Sequence, residues 1–404
     1  MSLRHAQARA EEVARVSYGK LVAMMAAKTG DIMAAEDALA EAFQRALEVW
    51  PERGIPDRPE AWLMTTAKNK AIDAARKASR IDLKEEVPEM ADPAMTENDA
   101  FPDERLSLMF VCAHPAIDDS LHTPLMLQTV LGLEAEDIGR AFLVPGKTMA
   151  QRLVRAKRKI KDARIPFVVP DRSEIVSRMA AVLEAVYGAF GADWLADEQP
   201  LADEALYLAR VVVEVTPEDP EALGLLALLT FIHARRDARV KDGVLVPLPE
   251  QDCALWDKDL NLQADAILQK ASSKNKLGRF QLEAAIQAVH ASREVSGRTD
   301  WRALTQLYAG LRAIAPTIGA AIAEAAVVAE DAGAAAGLAC LERIDRQALQ
   351  LSQSAWAVRA HLMTRLGRVA EARLAYDQAI ALATDPPLIR WLEAQQTKLS
   401  QRLN

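Results

Sequence analysis

The densest chemical signal in this sequence is a run of cations in its second quarter. Residues 147–164 carry eight Lys or Arg residues against one Asp, although the 404-residue chain has a formal net charge of −8. Arginine and lysine bind phosphates, and arginine can also read guanine edges through two hydrogen bonds. Such a helix predicts a nucleic-acid surface, and a solvated cationic face is the alternative. The side chains concerned are Lys147, Thr148, Gln151, Arg152, Arg155, Lys157, Arg158 and Lys159.

A second polar and basic group lies near residue 70, toward the end of a predicted helix. Its cations can bind phosphates, and its asparagine and aspartate offer hydrogen bonds one turn apart. Taken alone, the group is better explained by cations that complement a helix C-terminus, at roughly 0.3 kcal/mol or more per charge. Its members are Lys68, Asn69, Asp73, Arg76, Lys77 and Arg80.

Motifs of catalysis are missing from the sequence. It has no Gly-rich phosphate loop, no G-x-S-x-G motif and no H-E-x-x-H motif. His114 and His122 flank two aspartates, but such residues more often cap short helices than hold a metal. The three cysteines are too widely spaced for a disulfide framework or a four-cysteine zinc site: Cys112, Cys253 and Cys340. We therefore predict a protein without enzyme activity, metal or cofactor.

The composition predicts an all-α fold. Half of the residues are hydrophobic, only 5% are aromatic, and the abundance of Ala and Leu favours helices. No apolar run reaches the roughly 18 to 20 residues that cross a bilayer, and the first 20 residues lack the apolar core of a secretory signal. We expect a cytoplasmic protein with no membrane contact.

Hydrophobic periodicity and proline content predict a helical N-terminal domain followed by a linker. Residues 1–80 read as three helices, the second of which ends near Trp50 and carries an apolar stripe. Residues 81–103 are acidic and contain three prolines, which is typical of a flexible linker. The stripe of the second helix comprises Ala38, Leu39, Ala42, Phe43, Ala46 and Leu47.

Residues 104–168 have the proportions of a helix–turn–helix domain. One helix is predicted over Ala135–Phe142, a turn over the LVPG sequence, and a second helix from about Lys147. In such motifs the start of the second helix enters the major groove of DNA. The predicted core consists of Ile138, Ala141, Leu143, Met149, Leu153 and Ile160.

Residues 171–404 read as a further helical domain. Residues 354–387 fit a 34-residue helix–turn–helix repeat of the tetratricopeptide type. The pattern has a packing reason at each position. Small residues lie where the two helices of a repeat touch, aromatic residues fill the groove between neighbouring repeats, and Gly forms the turn. A loop is predicted over 237–262, where it interrupts the array. The residues at the repeat's characteristic offsets are Trp356, Ala360, Gly367, Ala372, Tyr376 and Ala379.

These segments resemble a known family in the expected order. AEDALAEAFQRALEVWP, followed by PEAWLMTTAKNKAIDAARK, is similar to region 2 of extracytoplasmic-function sigma factors. EAEDIGRAFLVPGKTMAQRLVRAKRKIKDA is similar to region 4 of the same family. The sequence after residue 170 resembles the long tetratricopeptide-like extension of one subgroup. The chain is therefore identified as an alternative sigma factor with such an extension.

The resemblance implies partners and residue roles. In the family, region 2 binds the β′ clamp helices of core RNA polymerase, and region 4 meets the β flap. The chain would direct promoter-specific initiation, with the Lys68–Arg80 group at the −10 element and the Lys147–Lys159 group at the −35 element. It would be cytoplasmic, and at the nucleoid when polymerase is bound. The residues matching the clamp-binding motif are Asp37, Glu41, Gln44 and Arg45, whereas Ala40 replaces a common Gln.

The role of the C-terminal domain is left open by the resemblance. Regulation of the sigma segments in cis, through a protein or small-molecule regulator, is one expectation. A helix–turn–helix transcriptional regulator with a helical sensor domain is an alternative function, but it gives no reason for the clamp-binding motif. A tetratricopeptide scaffold is a second alternative, and it leaves the basic helix without a role.

Overall fold

The computed structural model describes residues 3–81, 103–142, 144–167, 170–192, 194–195 and 200–401. Within these ranges the chain is helical apart from short turns and one pair of two-residue strands, which confirms the all-α prediction. Of the linker predicted at 81–103, residues 82–102 lie outside the described residues, and so does Leu143. The chain divides into a first unit, Met1–Asp193 with Pro200–Val215, and a second unit, Trp194–Gln199 with Thr216–Asn404.

The first unit contains helices α1 to α9. Helix α2 begins at a capped end, because the Asp31 carboxylate accepts hydrogen bonds from the backbone of Met33 and Ala34. It ends at Gly54, whose φ of 91° suits glycine. The helices are α1 Leu3–Thr29, α2 Ile32–Arg53, α3 Pro59–Ile81, α4 Glu104–Cys112, α5 Asp119–Thr129, α6 Ala135–Ala141, α7 Gly146–Asp162, α8 Arg172–Ala192 and α9 Pro200–Val215.

Helix α4 is covered on all sides. Every residue from Arg105 to Cys112 is buried, although a surface helix would bury only one stripe. Its cover comes from α1 on one side and from α5, α8 and α9 on the others. Arg105 is 6% exposed, and its guanidinium pairs with the carboxylates of Asp103 and Glu204. Helix α4 is therefore the centre of the first unit.

The structure places α8 and α9 in the first unit, whereas the predicted C-terminal domain began at residue 171. Helix α8 packs on α5, and its buried Arg178 donates a 3.0 Å hydrogen bond to the carbonyl of Phe110 in α4. The difference arises because the apolar face of α8 finds its cover on α4 and α5. That face includes Met179, Val182, Leu183, Val186 and Phe190.

One window of the described residues, Ser173–Ala192, is long and apolar enough to cross a membrane by length and composition. Half of it is buried inside the structure, as in a core helix of a globular protein. Because core helices pass the same test, this window is weak evidence for a membrane span.

The second unit is a succession of helices in which neighbours pack as hairpins. Helix α10 is almost wholly buried between α11 and α12, and its N-terminus is capped by Asp219. The helices are α10 Pro220–His233, α11 Lys258–Ser272, α12 Arg279–Ala291, α13 Arg293–Ser296, α14 Trp301–Ile314, α15 Ile318–Ala332, α16 Ala334–Leu341, α17 Arg346–Gln350, α18 Gln353–Arg365, α19 Val369–Leu382 and α20 Pro386–Gln401.

The segment predicted as a loop at 237–262 contains more order than expected. Strands β1 Val240–Lys241 and β2 Val244–Leu245 pair in antiparallel fashion. Their two-residue turn, Asp242 and Gly243, has φ values of 53° and 73°, as a tight hairpin of the right twist requires. The Asp-Gly pair was the sequence signal for this hairpin. The predicted loop also ends too late, because α11 begins at Lys258.

The predicted repeat window forms a helical hairpin of α18 and α19, joined at Gly367 with a φ of 72°. The small residues Ala360, Ala372 and Ala379 are each 0% exposed where the helices meet. Tyr376 is buried with them, and Leu392 of α20 closes the same core. The tetratricopeptide assignment of this hairpin stays a prediction.

Gly224 of α10 lies close to the backbone of α12. A Cβ added there would lie 2.7 Å from the backbone nitrogen of Gln281, whereas one added at Gly310 would meet only Leu282 methyl groups at 3.9 Å. We expect Gly224→Ala to lower the free energy of unfolding by about 1–3 kcal/mol. Gly310→Ala, the matched control, should be neutral or stabilising by about 0.5–1 kcal/mol. Urea unfolding followed by circular dichroism measures both, and equal effects would contradict this packing.

Candidate nucleic-acid interface

The helix–turn–helix geometry is built around a glycine. A Cβ added at Gly139 of α6 would lie 2.6 Å from the carbonyl oxygen of Val144 in the turn. The backbone nitrogen of Val144 in turn donates a 2.8 Å hydrogen bond to the carbonyl of Gly139. Helix α7 then starts at Gly146, close to the predicted position. The glycine thus allows the turn to fold back closely on α6.

The small core of this motif agrees with the sequence pattern at most positions. The prediction was wrong for Ala141, which was expected to be buried. It is exposed because α6 ends there. Leu143 lies outside the described residues. The buried members, each at 2% exposure or less, are Ile138, Met149, Leu153 and Ile160.

Helix α7 presents most of its predicted polar residues to solvent. Its buried stripe turns them outward, and Thr148 near the N-terminus is half-buried. The Arg155 side chain is held along the helix by a 3.3 Å hydrogen bond from its Nε to the carbonyl of Gln151. This face can present guanidinium and ammonium groups to an anion. The exposed members are Lys147, Gln151, Arg152, Arg155, Arg158 and Lys159.

Lys157 is the exception, because it lies on the buried face of α7. Its side chain is 7% exposed, and its Nζ lies 2.6 and 2.7 Å from the two carboxylate oxygens of Glu36 in α2. Four residues on, Lys161 pairs with Asp31 at 2.9 Å. This hydrogen bond raises the pKa of Lys161. Sequence reasoning grouped Lys157 with the DNA-facing cations, although its spacing from Leu153 places it on the apolar stripe.

The second basic group lies on α3. Lys68, Asn69, Asp73 and Arg76 are exposed, as their spacing predicts. The side chains of Lys77 and Arg80 lie outside the described residues. The neighbouring Lys70 forms a 3.0 Å ion pair with Glu41 of α2, so that α3 and α2 are joined at their polar faces.

Helix α2 has one buried apolar face and one exposed polar face. Ala38, Leu39, Ala42 and Ala46 are at most 5% exposed, whereas Leu47 of the predicted stripe is 41% exposed. At the end of the helix, Trp50 packs edge-on against Trp62 of α3 with ring centroids 5.7 Å apart. The exposed face contains Asp37, Glu41, Gln44 and Arg45.

The His114–His122 segment fills a structural role. His114 Nδ1 accepts a 3.1 Å hydrogen bond from the backbone of Ala116, and His122 Nε2 lies 3.1 Å from the carbonyl of Ile117. Within the part of the chain that the structure describes, no group of three or more His, Cys, Asp or Glu side chains could hold a metal ion. Burial raises the pKa of the Cys112 thiol to about 12, which disfavours its reactive thiolate.

Two families match parts of this structure. Sigma-70 region 2 matches residues 15–81, which cover most of α1 and all of α2 and α3. A family of unknown function (DUF6596) matches residues 178–272, from α8 to the end of α11.

A relative matches nearly the whole chain. The uncharacterized protein R00370 of Rhizobium meliloti (strain 1021) is 36% identical over 385 residues, which are 91% of this chain and 90% of that protein. The chain belongs to the family of this rhizobial protein. Its N-terminal helices form a sigma-70 region 2 domain, which supports a sigma factor. No solved structure matches the chain.

The region 2 domain contains both the exposed acidic face of α2 and the basic end of α3. A domain of this kind implies contact with core RNA polymerase and with promoter DNA. The family of unknown function begins inside α8 of the first unit and ends inside the second unit. The C-terminal extension is thus continuous with the helices that cover α4.

We expect Gly139→Ala to disrupt the helix–turn–helix, because the added methyl would collide with the Val144 carbonyl. The cost should be about 1–3 kcal/mol of unfolding free energy. Hydrogen exchange of the α6 and α7 amides measures the loss of protection. The control is Gly188→Ala, whose methyl would meet Leu127 at an ordinary 3.8 Å. Equal protection in both variants would show that the turn tolerates a side chain.

Proposed function

We propose that the chain is an alternative sigma factor of the extracytoplasmic-function type. It binds core RNA polymerase in the cytoplasm and directs promoter-specific transcription initiation, without enzyme activity of its own. The observation that carries the proposal is a sigma-70 region 2 domain followed, in one compact unit, by a helix–turn–helix with an exposed basic face. A regulator that acts without polymerase has no need of a sigma-70 region 2 domain.

The polymerase contact is assigned to the exposed face of α2. Asp37, Glu41, Gln44 and Arg45 point away from the α1–α3 core, so a partner can reach them without unfolding the domain. In the family this face binds the β′ clamp helices, while region 4 meets the β flap. The face has two carboxylates and one guanidinium, which suits a partner with a mixed-charge helical surface.

The −10 contact is assigned to the basic end of α3. Near −10 the DNA strands must separate, and exposed bases are then held by polar groups and stacking. Asn69 and Asp73, one turn apart and exposed, supply hydrogen bonds, and Lys68 and Arg76 supply charge. Lys77 and Arg80 belong to the same proposed group.

The −35 contact is assigned to α7. Recognition helices read bases with their N-terminal residues and hold phosphates with the rest. Gln151 and Arg152 have the chemistry for bases, since glutamine can pair with adenine and arginine with guanine. Arg155, Arg158 and Lys159, all exposed, suit phosphates.

Two DNA-binding segments on an acidic chain make a weak DNA binder by themselves. The net charge of −8 repels phosphate beyond the local basic faces, over a screening distance of about 8–10 Å. Docking on polymerase would add contacts and set the distance between the two segments. The C-terminal helical domain, of tetratricopeptide-like type, is proposed to regulate the sigma-factor activity in cis. Its own partner would be a protein or a small molecule.

In vitro transcription with purified core polymerase tests the proposal, using the full-length chain and a library of genomic fragments. We expect defined start sites only when chain and core are both present. Asp37→Lys with Glu41→Lys should weaken core binding by at least tenfold, because two carboxylates of the proposed contact become cations. Asp259→Lys with Asp265→Lys, on two exposed positions of α11, is the charge-matched control. Titration of labelled core enzyme measures the affinity.

Failure of the chain to bind core polymerase or to produce a start site would overturn the sigma-factor proposal. DNA binding without polymerase, at a specific sequence, would favour the helix–turn–helix regulator instead. Binding of neither DNA nor polymerase would favour the scaffold.

A second prediction concerns the basic face of α7. Arg155→Ala with Arg158→Ala, which removes two of the proposed phosphate contacts, should weaken binding of the chain–core complex to a promoter duplex recovered from the transcription experiment. Each lost phosphate contact lowers the slope of log affinity against log salt by about 1, so the slope should fall by about 2. Lys270→Ala with Arg302→Ala, two exposed cations of the second unit, is the control. An unchanged slope in the α7 variant would remove α7 from the DNA contact.

A further inference from the structure

Three arginines lie close together in the second unit, where the chain leaves α10. Arg235 and Arg239 flank the short turn after that helix, and Arg293 is the first residue of α13. The chain returns to this point after the β1–β2 hairpin, because the backbone nitrogen of Asp257 donates a 2.7 Å hydrogen bond to the carbonyl of Ala234. Burial lowers the pKa of Arg235 to about 9, and the neighbouring charges of Arg239 and Arg293 contribute to the shift. The three cations are therefore close enough to repel one another.

Two of these arginines are held by backbone carbonyls. Arg239 is 1% exposed, and its Nη1 donates a 3.0 Å hydrogen bond to the carbonyl of Trp194. Arg293 donates to the carbonyl of Gln251 at 2.7 Å and also to that of Pro249. A carbonyl oxygen accepts a hydrogen bond but carries no net charge, so these contacts position the guanidinium groups without neutralising them.

The third arginine has no partner in the protein. Arg235 is partly buried, and within the described residues its guanidinium has neither a hydrogen bond nor an ion pair. With a pKa of about 9 the group is charged at neutral pH. A partly buried charge without a counter-ion destabilises the folded chain, and a bound anion would remove that penalty.

Two polar aromatic side chains lie beside Arg235. Its charge acts on the pKa of His290 in α12 and on that of Tyr308 in α14. Burial, followed by the nearby arginines, lowers the pKa of His290 to about 3, so the ring is neutral at pH 7 and can donate one N–H. The His290 ring packs edge-on against Trp301 with centroids 6.2 Å apart. In the part of the chain that the structure describes, the Tyr308 hydroxyl has no hydrogen-bond partner.

Trp256 adds a buried donor to the same region. Its side chain is 4% exposed, and the guanidinium of Arg293 lies 4.9 Å from the centre of its ring. Neither the indole Nε1 of Trp256 nor the Nε of Arg293 has an acceptor in the described chain. The unpartnered nitrogens of Arg235, Arg293 and Trp256 are thus all donors, and the partner they require is an acceptor.

The carboxylates that act on this region are engaged with other arginines. Asp237 influences Arg239 but lies 3.6 Å from the Nε of Arg236. Glu283 influences Tyr308 but forms a 2.7 Å ion pair with Arg279, four residues earlier in α12. Neither carboxylate is an ion-pair partner of Arg235, so the positive charge at this point is a local excess.

We propose that the second unit binds the carboxylate group of an aromatic ligand at Arg235. The guanidinium of Arg235 forms the bidentate pair with the carboxylate, and the Tyr308 hydroxyl donates a further hydrogen bond. One free guanidinium matches the single charge of a carboxylate. The rings of His290, Trp256 and Tyr308 supply the aromatic surface on which the rest of the ligand packs.

This inference rests on the proposed function for its role, since it names the chemical class of the regulator that the C-terminal domain would recognise. The binding itself requires neither polymerase nor DNA. It can therefore be measured on the free, full-length chain.

Fluorine NMR with 4-fluorobenzoate as the probe tests the site. We expect the full chain to broaden the probe signal in a saturable manner. 4-Fluorobenzamide, which has nearly the same shape and no charge, should bind about tenfold more weakly or less, because the charge-assisted hydrogen bonds are lost. Unlabelled benzoate should displace the probe, and inorganic phosphate should displace it only at higher concentration.

Variants of Arg235 separate a ligand contact from a structural role. Arg235→Gln should abolish probe binding and should raise the midpoint of thermal unfolding of the ligand-free chain, because it removes a charge without a partner. A structural arginine would lower that midpoint when replaced. Arg235→Lys keeps the charge but loses the planar fork, so its affinity should be intermediate. Arg343→Gln, at an exposed arginine of the second unit, is the matched control and should change neither quantity.

A variant of Tyr308 tests the second contact. Tyr308→Phe keeps the ring and removes the hydroxyl. It should weaken probe binding by about twofold to tenfold, as expected for one hydrogen bond. Unchanged affinity would remove the hydroxyl from the site.

The remaining outcomes decide the proposal. Absence of saturable binding, equal binding of the acid and the amide, or unchanged binding in Arg235→Gln overturns the site. If Arg235→Gln does not fold, unchanged affinity in Arg235→Lys overturns the bidentate pair. Displacement by phosphate at lower concentration than by benzoate overturns the carboxylate assignment.

A second competitor distinguishes the source of the carboxylate. N-acetylphenylalanine represents the C-terminal residue of a peptide, and benzoate represents a free small acid. The competitor that displaces the probe at lower concentration assigns the source, and either order supports the carboxylate site. Absence of core binding in the transcription experiment overturns the sigma-factor function alone, because the probe is measured without polymerase.

Discussion

The complete burial of α4 is the constraint on which the first unit depends. A nine-residue helix is too short to be stable by itself, so it persists only where other elements bury it. Those elements come from three separate parts of the sequence: α1, α5, and the α8–α9 pair. The region 2 domain, the helix–turn–helix segment and the start of the extension therefore share one core and are expected to fold as a cooperative unit.

Buried cations specify how these parts fit together. Arg105, Lys157 and Arg178 are each at most 7% exposed, and each has carboxylate or carbonyl partners on another helix. A buried charge that loses its partner is strongly destabilising, so such groups disfavour other packings of the same helices. Apolar contacts supply most of the burial, while the paired cations select one arrangement among several that would bury a similar area.

The pairing of buried cations also divides helix α7 into a buried face and an exposed basic face. Exposed cations of α7 remain available to a polyanion, whereas Lys157 is neutralised within the protein by Glu36. The net negative charge of the chain makes the exposed face a local feature, which acts at short range. The match to a family of unknown function begins in α8, so the extension belongs by packing to the sigma-like part as well as to the second unit.

Local pattern determined much of this protein from the sequence alone. The 3.6-residue period assigned Ala38, Leu39 and Ala42 to the core and Asp37 and Glu41 to solvent. The LVPG sequence located the turn between α6 and α7. Only the tertiary structure decided that Lys157 pairs with Glu36 and that α8 and α9 belong to the first unit. The physical reason is that periodicity shows which side of a helix needs cover. Which distant helix provides it depends on long-range packing and on charge pairs such as Lys157–Glu36, 121 residues apart in the sequence.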